Sequence, residues 1–491
     1  MFEFASPDTY ARLRDALHRA SYTEAAVLEA AGLTDLLRVR DRSVNLLLRK
    51  ADDAGVLGTL IRLWLMCVPT AVEDVQRAVA PVTIDDLVLA GLVRIEVDRL
   101  RPLVQLLPFR GFFLASDAPT SRDDRKHADY VMGIGSSSMT LANATIRRPV
   151  EHVLDIGTGC GVQAFLAASH AERITGVDLN ARAIALATFN ARLSGIDNVE
   201  FLQGDMFAPV AGRAFDLVVA NPPFVISPET TYIYRDGGAA SDGITQRVAR
   251  EAPGVLHEGG FAQMICNWAH VGGERWEERV AAWVRGSGCD ALVLRSATLS
   301  ARDYAETWID HTESDDPASY SRRLDAWLAY FERERIEAVS AGLIMLRKRS
   351  GSNWFAAEEA PERMKGPAGD AIAANFEART LLHAIDSAEG LRAMRVRPSS
   401  SLHLMHELRP QDSGWRVATI TLRLERGIAY EATLDAYLNA LLMRCDGSRT
   451  LGDLAAEVAA GFGVDPNELI AAMEDPVRQL IARGFVEIVQ D

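Results

Sequence analysis

Between Val153 and about residue 348 the chain alternates short, almost unbroken apolar runs with amphipathic stretches. Seven runs stand out: HVLDIG (152–157), RITGVD (173–178), VEFLQG (199–204), FDLVVAN (215–221), FAQMICN (261–267), ALVLRS (291–296) and GLIMLR (342–347). Runs that are apolar on both faces predict strands of a parallel sheet covered by helices on each side. The long stretch from 300 to 336 predicts a mostly helical, elaborated crossover between the last two strands.

The flanks follow other rhythms. Residues 1 to about 50 show helical periodicity at Leu13 and Leu17 and at Ala25 and Leu28, with Gly32 as a helix stop. From Leu57 three helices precede the runs LVRIEV (92–97) and LVQLLP (103–108), which predict a hairpin joined around Asp98-Arg99. That outline fits either a winged helix or a helical cap with a small ribbon. Residues 117–129 (DAPTSRDDRKHAD) are a polar linker or lid. After residue 355, HLMHEL and WRVATITLRLE predict a small antiparallel sheet, followed by helix starts at Thr450 and at Asp465 with Pro466 in the first helical position. A short strand, FVEIV, follows Gly484, so this C-terminal module is α+β, with a winged helix as one form it could take. The expected division is 1–116, a helical or winged flank; 117–134, a linker or lid; 135–354, the α/β core; and 355–491, the C-terminal module.

A chain of 491 residues is too long for one ordinary core. Its net charge of −15 argues against a broad grip on phosphate backbones. The acidity is uneven: 19 acidic residues face 19 basic ones before residue 151, so the N-terminal flank is balanced. The five cysteines are scattered without a CxxC pair, which predicts a reduced, cytoplasmic chain with no structural metal site. His403 and His406 have no further ligand nearby and read as strand surface. The first residues lack the basic and apolar pattern of a signal peptide, and the most apolar window, Val56 to Val72, is broken by Arg62 and Pro69. No membrane association is expected.

Candidate chemistry starts at the first strand, with Asp155-Ile156-Gly157-Thr158-Gly159-Cys160-Gly161. Glycines at alternate positions after a buried strand let the backbone turn sharply and pass close to a ligand. The spacing is GxGxG rather than GxGxxG, and Asp155 would repel a pyrophosphate but suit the ammonium of an amino-acid-like ligand. A nicotinamide oxidoreductase is disfavoured on both counts. Asp178-Leu179 ends the second strand, where an acid can accept both ribose hydroxyls; Asp205-Met206 follows the third, where an acid and a main-chain amide can read an adenine edge.

The fourth strand ends Val218-Val219-Ala220-Asn221-Pro222-Pro223-Phe224. This segment resembles the [DN]PP[FYW] signature of methyltransferases acting on planar nitrogens, both the amino-base enzymes of nucleic acids and the glutamine-amide enzymes of release factors. The resemblance covers roughly residues 135–350 and implies a class I, Rossmann-like fold with a seven-stranded, mostly parallel sheet and S-adenosylmethionine as cofactor. It also implies that Asn221 and the Pro222 carbonyl accept from the reacting NH₂, that Pro222 and Pro223 hold the backbone, and that Phe224 stacks on the planar group. Asn221 would border the cofactor too. Asp236-Gly237-Gly238 and Ser241-Asp242-Gly243 are similar to the DGG-x-DG stretch of the glutamine enzymes, with Ala-Ala-Ser replacing a single residue and Phe224 replacing their Tyr. GIGSSSMTLA (133–142) stands where related enzymes carry a loop over the methionine end.

The expectation is therefore an N-methyltransferase with a macromolecular acceptor, the N-terminal flank docking that acceptor and being dispensable for cofactor binding. A small-molecule acceptor is the first alternative, and an adenosylmethionine-sensing DNA-binding regulator the second. Oligomeric state stays open.

Overall fold

The computed structural model describes residues 2–36, 44–118, 127–228, 241–312, 317–361, 364, 366–385, 387–412 and 414–489. The motif residues Asp236-Gly237-Gly238 lie outside the described residues. The chain divides into two compact units: the first is 1–142, 148–287 and 297–348, the second 143–147, 288–296 and 349–491.

The predicted strands form at β1 (Val150–Ile156), β2 (Ala171–Asp178), β3 (Val199–Gln203), β4 (Phe215–Ala220), β5 (Leu256–Val271), β6 (Cys289–Ser300) and β7 (Ile336–Lys348). In the first unit the sheet order is β3-β2-β1-β4-β5-β7. The first five of these strands run parallel and β7 runs antiparallel to β5. This order reverses direction between β1 and β4, so a crevice opens beyond their carboxyl ends. Helices α1 (Ser136–Ala144), α2 (Val162–Ala167), α3 (Ala181–Ser194) and α4 (Gly243–Glu251) border that crevice or cover the sheet. Local chemistry sets their ends: Asn180 caps α3 by accepting from the Arg182 N–H, and Gly195 closes it in the left-handed conformation. The predicted crossover is two helices, Ala301–Thr312 and Pro317–Arg333, whose Tyr304, Trp327, Tyr330 and Phe331 share a buried cluster with Val225 and Ile226.

The N-terminal flank belongs to the same unit as this sheet. Among the described residues it contains four α-helices (Asp8–Arg19, Glu24–Ala31, Val44–Asp52 and Gly55–Leu60), the short strand Thr70–Ala71, two more helices and two hairpins, with Thr70–Ala71 pairing against the second strand of the first hairpin. The hairpin differs from the expected one. Val93–Glu96 pairs with Arg99–Pro102, while Val104–Phe109 pairs with Phe112–Asp117. Two tight turns replace one long connection: Val97 and then Arg110 and Gly111 take positive φ, which reverses the chain within two residues. At the helix stop expected from sequence, Gly32 is left-handed.

In the second unit, β6 residues 291–295 pair in parallel with Phe355–Glu359, a strand that the apolar pattern had not marked. Asp290 is fully buried and takes the Arg349 guanidinium on both oxygens, at 2.6 and 2.9 Å. The antiparallel strands Leu402–Gln411, Gly414–Leu424 and Glu431–Leu434 follow, then helices capped by Thr450 and Asp465 as their sequences predict. His403 is exposed beside Glu425. Among the described residues no helix is long and apolar enough to cross a membrane.

Candidate active site

A cavity of about 300 Å³ lies beyond the carboxyl ends of β1, β2 and β4, a volume at the lower end of small-molecule sites. A wider groove of about 620 Å³ sits at the opposite, amino ends of the strands, beside His152, Arg173 and Arg213. Its cations are paired with Glu151 and Glu200, and ligand sites of open α/β sheets lie at the carboxyl ends, so the smaller cavity is the candidate site.

The glycine loop forms one wall. Gly157, Gly159 and Gly161 all adopt positive φ (70°, 54° and 92°). A Cβ on Gly157 would stand 3.4 Å from the Asn221 carbonyl oxygen and 3.4 Å from the Pro222 Cα, so two sequence-distant loops meet there in van der Waals contact, and the positive φ is what favours glycine. Thr158, Gly159, Asp178, Leu179, Asp205, Met206, Asn221, Pro222 and Pro223 line the cavity along with Gly157.

Asp178 is already organised. One oxygen accepts the Gly159 N–H at 2.9 Å and the other accepts the Asn180 N–H at 2.9 Å. Burial raises its pKa, and those two N–H donors oppose the shift. Asp205 receives Arg247 on both oxygens at 2.8 Å, and Arg247 also holds Glu251 at 2.7 Å. The acid expected to read an adenine edge thus has a cation beside it that the sequence pattern did not reveal. The Asn221 amide donates to the hydroxyls of Ser138 and Ser137, at 3.3 and 3.5 Å, from the first turn of α1.

Three expected site residues are absent from the described cavity lining: Asp155, Gly161 and Phe224. Asp155 is buried behind the glycine loop, where one oxygen accepts from the Thr158 hydroxyl at 2.7 Å and the Ala164 N–H at 3.1 Å. Burial pushes its carboxyl up to about 7 against those two donors, and the charge of Asp178 adds to the rise. Gly161 caps α2, and a Cβ on it would meet the Phe165 ring at 2.7 Å. Phe224 packs against the aromatic cluster of the crossover helices, because Tyr304 pins the chain just after it by accepting the Ile226 N–H at 3.1 Å. Asp242 is likewise a tie: it accepts the Ala269 N–H at 3.0 Å and binds Arg279 at 2.6 Å.

A second wall, Tyr130 to Gly133, lies at the end of the segment expected to be a linker or lid, although none of its residues is among the expected site residues. It is strapped in place from the flank. Asp117 exchanges main-chain and side-chain bonds with Val131 at 3.1 and 2.7 Å, takes Arg182 at 3.0 Å on both oxygens, and Asn180 donates to the Asp129 carbonyl at 2.8 Å. Asn190 of α3 clasps both main-chain groups of Ala115 at 2.8 Å. Residues 1–115 include the strand Val104–Phe109, which pairs with Phe112–Asp117, so deleting them would remove the hairpin on which Asp117 sits. Asp117 and Asn190 are far apart in sequence, and no local pattern links them.

Residues 132–275 match the methyltransferase small domain model. Residues 19–103 and 373–488 match two domains of unknown function (DUF7059 and DUF7782). Over 169 residues the chain is 32% identical to the release factor glutamine methyltransferase of Yersinia pestis, covering 31% of this chain and 55% of that protein. It is 34% identical over 131 residues to the ribosomal protein uL3 glutamine methyltransferase of Xanthomonas campestris, covering 24% and 42%. It is also 34% identical over 115 residues to the ribosomal RNA small subunit methyltransferase C of Alcanivorax borkumensis, covering 23% and 32%. The chain thus spans from just under a third to just over half of the length of these relatives.

Proposed function

We propose that this protein transfers a methyl group from S-adenosylmethionine to a planar amide or amino nitrogen on a macromolecule, either a protein glutamine or a nucleic-acid base. The observation that carries the reading is the packing of Asn221-Pro222 against the Gly157 turn, at one cavity with Asp178. A nitrogen clamp and an adenosine-binding acid then face the same small space. The named activities of the relatives, on glutamine and on ribosomal RNA, support the same acceptor class.

The residues fit the cofactor. Asp178 keeps lone pairs on both oxygens for ribose hydroxyls, and the glycine loop leaves space that a Cβ would fill. When bound, S-adenosylmethionine supplies an electrophilic methyl group on a cationic sulfur. The chain supplies orientation and charge stabilisation. The lone pair of an amide or aryl amine is delocalised, so the nitrogen must be held in line and its developing positive charge must meet preorganised acceptors. The Asn221 side-chain oxygen and the Pro222 carbonyl fill that role, with Pro222 and Pro223 restricting the backbone that carries them. Asp205 and Met206 border the adenine end. No protein base is needed, because the nitrogen becomes acidic once methylated. Phe224 supports the loop from behind.

The test is to incubate the protein with methyl-tritiated S-adenosylmethionine and bacterial cell extract, then fractionate the product. Label in protein or nucleic acid is expected. Label confined to small molecules would overturn the macromolecular acceptor.

A further inference from the structure

In the second unit the antiparallel strands Leu402–Gln411 and Gly414–Leu424 extend beyond the third strand of their sheet, because Glu431–Leu434 pairs only with residues 420–423. Between residues 405 and 418 the described residues of this hairpin are exposed. A two-stranded ribbon without a covered face is marginal in water. Its two faces differ. The register puts Leu408 beside Val417 and Pro410 beside Trp415 on one face, continuing a row that is buried further along at Leu422 and Leu424. Leu408, Val417 and Trp415 are 51%, 42% and 71% exposed. Glu407, Arg409 and Arg416 stand on the opposite face. Leu402–Gln411 is also an edge: among the described residues it pairs with Gly414–Leu424 alone. Pro410 shows which main-chain groups of that edge turn outward. It has no N–H, so it sits where that side of the strand faces away from the ladder, and Leu408 and His406 face the same way.

We infer that this edge docks a second copy of the chain, joined antiparallel about a two-fold axis through Leu408. An axis normal to the sheet keeps each face on its own side, so residues that turn outward meet residues that turn outward. Leu408 then lies opposite Leu408 of the other copy, each giving its N–H to the other's carbonyl. The His406 N–H of each copy reaches the Pro410 carbonyl of the other, and the missing proline N–H ends the ladder there. Charge selects this register. Centring on Leu408 sets Glu407 against Arg409 at two symmetric contacts, whereas centring on Glu407 opposes two glutamates and centring on Arg409 opposes two arginines. Within one chain Arg409 reaches Glu407 only at 3.4 Å, and both side chains are more than half exposed, so each is open to a partner. On the apolar face Val417 and Leu408 of the two copies become one continuous row. Free edge, exposed apolar row and reciprocal charges all fit the same occupant, a copy of the same surface.

Sedimentation equilibrium of the full chain between about 1 and about 100 μM tests this, since a short interface gives a weak dimer. The wild type should show a monomer–dimer equilibrium. Glu407→Arg sets arginine against Arg409 at both contacts, and Arg409→Glu sets glutamate against Glu407. Each variant alone should therefore lose at least about tenfold in dimer affinity. An equimolar mixture of the two restores opposite charges at both contacts and should recover the wild-type affinity to within about threefold. The double exchange in one chain, Glu407→Arg with Arg409→Glu, should recover it as well. Both side chains are exposed, so urea unfolding midpoints should match wild type, and recovery in the mixture or the double exchange cannot come from misfolded chains. A wild type that stays monomeric at about 100 μM leaves the edge to some other strand and overturns the proposal. Single variants that associate like wild type overturn it too, as does failure of both the mixture and the double exchange to recover.

Discussion

At the end of β1 the buried Asp155 has one oxygen served by Thr158 and Ala164 and the other by no described residue. In the second unit, Glu358 has Arg379 on one oxygen, and Tyr430 and Arg483 on the other at 3.1 and 3.2 Å. Burial raises the pKa of both. At Glu358 the two guanidiniums and the tyrosine outweigh it and hold the carboxyl below its ordinary value, whereas at Asp155 burial prevails and lifts it to about 7. A buried charge that serves stability is surrounded until nothing is left to bind. One left short of partners, as Asp155 is, is pushed toward its neutral form instead.

The contrast fails if the two acids respond alike to neutralisation. Glu358→Ala leaves two arginines without their carboxylate and should destabilise the second unit by about 3–5 kcal/mol in urea unfolding. Asp155→Asn should do the opposite above neutral pH. Because the folded-state pKa of Asp155 lies above its unfolded value, the folded protein holds the extra proton, and stability from this group falls as pH rises from about 4 through about 7. The asparagine variant escapes that loss. At about 1.4 kcal/mol per pKa unit, it should be up to about 4 kcal/mol more stable than wild type at pH 8, with almost no gain at pH 4. A destabilised variant at both pH values would show that Asp155 is a satisfied structural carboxylate after all.

The same contrast extends to function, with smaller effects. Asn221→Ala should reduce turnover roughly 100-fold or more, about 2.7 kcal/mol, while cofactor affinity changes only a few fold, because its oxygen acts on the reacting nitrogen. Steady-state kinetics with the labelled acceptor fraction measures the first and calorimetry the second. Asp178→Ala should weaken S-adenosylmethionine binding by about 1–3 kcal/mol through loss of charged hydrogen bonds to the ribose. Unchanged affinity would move the adenosine elsewhere.

Much of this was legible in the sequence where the chemistry is local. The seven apolar runs, the glycine loop, the caps at Thr450 and Asp465 and the stop at Gly32 each depend on residues a few positions apart. What escaped depends on partners distant in sequence. The wall at Tyr130–Gly133 needs Asp117 and Asn180, Phe224 is turned by Tyr304, and Asp205 is met by Arg247. The hairpin at 93–102 was misdrawn because its turn uses a β-branched residue, Val97, at positive φ, where turn chemistry favours glycine or asparagine.

The smallest expected effect concerns Asp205, which belongs to neither extreme. It is a cavity carboxylate that is paired, but its partner Arg247 is partly exposed and shared with Glu251. An exposed pair of this kind contributes about 0–1 kcal/mol to stability, so Arg247→Ala should leave the unfolding midpoint nearly unchanged. Its consequence for the ligand is more informative. The guanidinium occupies both carboxylate oxygens, and an adenine amino group would have to share them. If Arg247 competes with the adenine, removing it should tighten 5′-methylthioadenosine binding by up to about 1 kcal/mol; if it holds Asp205 in place for the adenine, removal should weaken binding by a similar amount. Geometry favours the second outcome. Each carboxylate oxygen accepts more than one hydrogen bond, and Arg247 reaches both oxygens through one nitrogen, leaving their other lone pairs for the cavity. Weaker binding in Arg247→Ala, absent when Asp205 is also changed to Ala, would establish the arginine as a positioning residue. An equal loss in both backgrounds would separate Arg247 from Asp205 and leave the adenine edge to Met206.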